Sequence, residues 1–154
     1  MSEGPLRPLK IKGKVLPVPI VQGGMGVGVS LYPLVGAVAN EGGMGIISSA
    51  ALDRLVSKRL NKQLSTRDAV YEEVSYAKEQ VQGQSGLVGI NIMVAIVRDF
   101  EESIRGALNA NADAIISGAG LPLTLPTIQD PKDTALIPIV SSARALGVIC
   151  MRWG

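Results

Sequence analysis

The chain predicts an α/β fold built from parallel βα repeats, and three observations carry that prediction. Short runs rich in Val, Ile and Leu recur along it, too continuously apolar for a sheet with one wet face. A Gly- or Ser-rich corner follows most of these runs, and a stretch with helical periodicity follows in turn. Aromatic residues make up 3% of the 154 residues and hydrophobic residues 47%, so the core must rest on aliphatic side chains. Strand, corner and helix in that order, with right-handed crossovers, give either an open sheet or a barrel.

Residues 1–16 read as an N-terminal extension and residues 17–154 as the βα domain. Pro19 to Gln22 is a short buried strand, and Gly23 to Val29 a corner. Ser30 suits an N-cap, and Leu31, Leu34, Val35 and Val38 give the helix it opens an apolar face. Gly42 suits a left-handed closure of that helix, and Met44 to Ser48 is the second strand. Residues 50–64 form a short helix and loop. Ser65 opens a longer helix with Asp68 in the capping-box position, and Val70, Val74, Ala77 and Val81 make its inward stripe. Leu87 to Met93 is the third strand. Asp99 and Glu102 open the next helix, with Ile104, Ala107 and Leu108 apolar. Asp113 to Ser117 is the fourth strand, followed by Gly118-Ala119-Gly120. Leu136 to Ser141 is the fifth, and Ala143 to Trp153 begins a further helix.

Composition narrows the function classes. The net charge is +2, and the basic segment Arg54, Lys58, Arg59, Lys62 and Arg67 is offset by Glu72, Glu73 and Glu79. Without aromatic stacking partners it reads as a solvated face, and no nucleic-acid partner is expected. Cys150 is alone, which excludes an intramolecular disulfide and a cysteine-cluster metal site. Ser2 to Lys14 holds no apolar run of signal length, and no later run spans a bilayer, so the expected place is the cytoplasm, with no membrane partner.

Glycines and polar residues fall after the strands, where they converge on one face. Gln22-Gly23-Gly24-Met25-Gly26 is echoed by Gly42-Gly43-Met44-Gly45. These glycines permit tight turns and can also offer backbone N–H groups to a cofactor. A dinucleotide-binding fingerprint fits poorly, because the second strand ends at Ser48 without the acidic residue that binds a ribose. Asn91, at the end of an apolar strand, must find partners, either an internal hydrogen bond or a ligand edge. Ser48, Ser117, Ser141 and Ser142 carry the same two readings. A serine nucleophile lacks a histidine to activate it and a GxSxG elbow. Asp99, Asp113, Asp130 and Asp133 fall at caps, a strand start and loops, so no carboxylate pair emerges. Met25 suits apolar packing or the face of a flat ring, and Arg144 a surface position or a phosphate contact.

Five segments in order resemble the nitronate monooxygenase family, also called 2-nitropropane dioxygenases. They are Pro19-Ile-Val-Gln-Gly-Gly-Met-Gly26, Gly42-Gly-Met-Gly-Ile-Ile-Ser48, Gly89-Ile-Asn-Ile-Met-Val-Ala95, Ala114-Ile-Ile-Ser-Gly-Ala-Gly-Leu-Pro122 and Ile139-Val-Ser-Ser-Ala-Arg144. The resemblance runs from about Pro17 to Trp153 and implies the N-terminal five or so units of a flavin-binding TIM barrel. It implies FMN as cofactor and oxidation of alkyl nitronates by molecular oxygen. Gln22, Gly23, Gly24 and Met25 would form the isoalloxazine corner, Asn91 would contact flavin or substrate, and Ser141 would belong to the rim after the fifth strand. The family's catalytic histidine follows the next strand, in a Gly-Gly-His segment that these residues do not reach. No catalytic residue is therefore assigned, and the chain by itself is expected to be weakly active or inactive. Met151 stands where the family pattern has a basic residue before Arg152. An incomplete barrel leaves edges and apolar surface, so a homo-oligomer or a missing C-terminal half is the expected partner. The alternatives are a flavin-dependent enoyl reductase and a non-catalytic flavin-binding or assembly module.

Overall fold

The computed structural model describes residues 7–82 and 86–154; the first six residues of the expected extension lie outside them. One parallel sheet organises the chain. Its strands are β3 (Val21–Gln22), β4 (Met44–Ser48), β5 (Leu87–Met93), β6 (Ala114–Gly118) and β7 (Ala135–Pro138), adjacent in sequence order. The connections carry α1 (Tyr32–Asn40), α2 (Leu52–Leu60), α3 (Thr66–Glu79), α4 (Val97–Asn109) and the short α5 (Leu125–Ile128), and α6 (Ala143–Trp153) follows β7. This is the parallel α/β fold that the βα alternation predicts, in the partial, TIM-barrel-like form that the family resemblance implies. No helix among the described residues is long and apolar enough to cross a membrane.

Strand period divides the apolar residues between two cores. On the helix side Val35, Ile47, Val74, Ile90, Ile104 and Ile115 pack together. On the other side Met44, Ile46, Leu87, Ala114 and Ala135 form a smaller cluster around Leu16. Leu16 comes from an antiparallel hairpin, β1 (Leu9–Ile11) with β2 (Lys14–Leu16), within the expected extension. The hairpin closes the lower end of the sheet. Leu16 is fully buried, a burial that stabilises by about 1.5–3 kcal/mol. Lys14 Nζ meets Asp113 at 2.7 Å, and Lys12 Nζ donates to the Thr134 carbonyl at 3.0 Å.

Several local expectations hold. Met44–Ser48 and Leu87–Met93 are strands with those bounds, and α6 begins at Ala143. Ser65 caps α3, accepting from the Asp68 N–H at 3.1 Å. Gly42, at φ +83°, closes α1. Others are corrected. Ser30 is not the cap of α1; Leu31 holds that position, without a side-chain bond. Leu34 is 41% exposed and Val38 half-buried; Val38 lines an open apolar cleft with Val18 and Ile20, beside the edge strand β3. The fifth strand of the sheet ends at Pro138 rather than reaching Ser141.

Candidate functional site

The corner after β3 is held by Ser30, which is 1% exposed. Its Oγ accepts from the Met25 N–H at 2.9 Å and from Gln22 Nε2 at 2.9 Å, and donates to the Gly23 carbonyl at 3.2 Å. Its backbone N–H donates to the Met25 carbonyl, and its carbonyl accepts from the Ser48 N–H, both at 3.0 Å. Gln22 completes the brace. Its Nε2 also reaches the Gly23 carbonyl, and its Oε1 accepts the Ile46 N–H at 3.2 Å. Gln22 pairs in register with Gly45, on the helix side of the sheet. Its side chain is committed to shaping the corner.

Beneath the corner, Ser48 and Asn91 sit side by side as partners in the β4–β5 register. A Cβ on Gly24 would lie 2.8 Å from Asn91 Cβ and 2.9 Å from the Ile47 carbonyl oxygen. One on Gly26 would lie 2.9 Å from Ala50 Cβ and 3.0 Å from Ser48 Oγ. Both glycines are required by close approach, so any added side chain displaces the corner from these strands. Asn91 Oδ1 is buried and has no hydrogen-bond donor. Gly23 faces open space, and Met25 is 62% exposed.

The structure therefore gathers Gly24, Gly26, Ser48 and Asn91, with Gly23 and Met25 at their edge. Ser141 is not among them. It is exposed, beyond β7, and lines a cleft of about 350 Å³ with Gly120, Leu121, Ile139 and Val140. Ser117, buried, donates to the Ile92 carbonyl at 2.9 Å, and the exposed Ser142 caps α6 through the Ala145 N–H, so both hydroxyls have partners within the chain. Arg144 is exposed. The Ser48–Asn91 pairing and the brace by Ser30 escape sequence reading, since register alone creates the first and a tertiary contact the second.

Charge is absent from the loops of this end. Residues 23–31, 49–51, 94–97, 119–124 and 139–143 contain no Asp, Glu, Lys or Arg. The adjacent charges lie in the helix layer. The Arg98 guanidinium donates to Asp99 at 2.8 and 2.9 Å and holds that carboxyl below its ordinary value; burial opposes the shift, and a Thr66 hydroxyl at 3.2 Å supports it. Among the described residues no group of three His, Cys, Asp or Glu side chains is placed to hold a metal. A larger cleft of about 520 Å³ lies at the opposite end, lined by Lys14, Lys78 and Asp133 among others. Of its lysines, Lys14 and Lys78 are paired with Asp113, at 2.7 and 3.5 Å. In parallel βα folds that end serves stability and the carboxyl end of the strands carries the site.

The parallel βα sheet, with a glycine corner and a buried, unanswered polar group at its carboxyl end, places the chain in the TIM-barrel-like α/β class. The chain belongs to the nitronate monooxygenase family, which it matches over residues 7–154. Among solved structures it is similar to FabK from Thermotoga maritima, at 22% identity and a TM-score of 0.68, covering 87% of this chain and 37% of that one. A mutant form of the same Thermotoga protein gives the same identity and TM-score over 39% of its chain. At that identity the likeness speaks for the fold, and the chain spans well under half of the solved proteins it matches. No curated protein matches it in sequence.

Proposed function

We propose that the chain forms the flavin-facing wall of an FMN-dependent oxidoreductase of nitronate monooxygenase type, acting on alkyl nitronates with molecular oxygen in the cytoplasm. The observation that carries this reading is Asn91 Oδ1, a buried acceptor without a donor under a corner that Gly24 and Gly26 close. Leaving such a group unpaired costs about 1–3 kcal/mol, which a ligand N–H would return. An isoalloxazine offers an N–H and carbonyl edge on a flat apolar frame, and it suits a neutral acceptor, an exposed Met25 and loops without charge.

FMN, when bound, supplies the electron acceptor. The chain's own residues bind and orient. Asn91 accepts from the ring edge, and Gly23, Gly24 and Gly26 admit close backbone approach. Gln22 and Ser30 hold the corner, Met25 meets the ring, and Ser141 belongs to the outer rim. None of these is an acid or a base, and the sequence has no histidine. Proton transfer and the grip on the phosphate are assigned to polypeptide that completes the barrel, either a C-terminal half or another copy.

Titration with FMN, followed by flavin fluorescence, tests the reading. Saturable binding by the chain or its assembled form is expected, and Gly24→Ala should abolish it; no binding in either form overturns the proposal. Turnover of an alkyl nitronate by the isolated chain should be weak or absent. In the completed enzyme, reduction of an enoyl thioester by a nicotinamide, without nitronate oxidation, would replace this reading with the enoyl reductase one.

A further inference from the structure

We infer that Glu73 is a positioning residue for the glycine corner, acting through the N-terminus of α1 and through Ser30; that the corner serves a flavin rests on the reading above. Glu73 lies on α3, and its side chain is fully buried. Oε1 accepts the Tyr32 N–H at 2.7 Å. Oε2 stands 2.6 Å from Arg59 Nη1 without an aligned donor, so charge alone holds it. The Arg59 guanidinium lies 4.8 Å from the Tyr32 ring centre and 5.2 Å from that of Tyr76. Three helices thus meet at one charged junction.

For stability alone the junction is a poor device, because packed apolar residues often serve as well as a buried ion pair. Its geometry serves position instead. The first turn of α1 has no side-chain cap of its own, since Leu31 provides none. Its first N–H, that of Tyr32, and the positive end of the helix dipole therefore meet the Glu73 carboxylate. Tyr32 is fixed by that contact, and one residue separates it from Ser30. Ser30 in turn holds Gly23, Met25 and Gln22 and is tied to Ser48. A buried carboxylate on α3 thereby sets the height of the corner over Asn91. The same carboxylate occupies the end of α1, so that helix N-terminus is not available to a ligand phosphate.

Hydrogen exchange on the full chain tests this, because it reads local opening separately from global unfolding. Glu73→Ala should speed exchange at Met25, Ser30 and Ser48 by about tenfold beyond any change at Ile115 and Ile116 in β6, as loss of a helix cap would. Glu73→Gln keeps a side-chain carbonyl for Tyr32 while losing the ion pair, and it should restore most of the protection. An equal rise at all sites, or no rescue by Glu73→Gln, overturns the proposal. If Glu73→Ala does not fold, Tyr32→Pro removes the donor at a helix position that accepts proline. The same local loosening is expected there, and its absence is equally fatal. FMN affinity should fall with Glu73→Ala and recover with Glu73→Gln. A wild-type chain that binds no FMN would remove the functional reading, while the exchange comparison would still decide the role of Glu73.

Discussion

The two ends of the parallel sheet are built on opposite rules. At the lower end the polar groups around Asp113 are answered from within. Asp113 accepts the Val88 N–H at 2.9 Å and faces both Lys14 and Lys78, and the Thr134 hydroxyl donates to the Ala112 carbonyl at 2.8 Å. Leu16 fills the apolar space between them. At the upper end Asn91 Oδ1 has no donor, and Met25, Val27, Val29 and Ile139 are all more than half exposed. Buried polar groups are ordinarily paired, so an unpaired one needs a reason. Under the proposed function the reason is place: the self-sufficient end stabilises, and the open end is the one that would receive the flavin.

The same kind of substitution should separate the two ends. Asp113→Leu leaves the buried Val88 N–H without an acceptor and two lysines without their partner, and should destabilise the chain by about 3 kcal/mol. Urea unfolding measures it. A loss below about 1 kcal/mol, the worth of an exposed ion pair, would show the lower end to be no more than a solvated surface.

Asn91→Leu should do the reverse. Replacing an unpartnered acceptor by an apolar group of similar size should leave stability unchanged or raise it by up to about 1 kcal/mol. FMN affinity should nevertheless fall by about tenfold, the worth of one buried hydrogen bond to the ligand. A destabilised Asn91→Leu chain would mean that the carboxamide works inside the fold, and the contrast between the ends would collapse.

Much of this contrast was legible in the sequence, and physics explains what was not. β4 and β5 were readable to the residue because both faces are covered and their apolar runs are unbroken. Asn91 stood out as polar within such a run. The hairpin was hidden because three-residue strands are too short to show a period. Ser30 precedes an apolar helical stretch as a cap would, and only Glu73, forty-three positions later, frees it for the corner. Leu34 and Val38 have the right spacing for burial, yet periodicity carries no information about which side of a helix has a neighbour. The Ser48–Asn91 pair depends on strand register, which no local pattern specifies.

The smallest effect concerns charge, which the upper end confines to its helix layer. Asp99 is held below the ordinary carboxyl value of about 3.9, first by the Arg98 hydrogen bonds. A carboxyl with a lowered folded value contributes stability above its unfolded pKa and loses it as pH falls through the folded value. That contribution should be complete above about pH 4 and vanish in stronger acid, and because Arg98 is mostly exposed it should stay below about 1 kcal/mol. Denaturant midpoints across the acid range should show a shallower acid limb for Asp99→Asn than for the wild type. Asn91→Leu should keep the wild-type limb unchanged, since Asn91 does not titrate and the loops around it carry no charge. If the limb moved with Asn91→Leu, the polar pair would be coupled to the helix-layer charges, and the upper end could no longer be treated as an electrically neutral receptor.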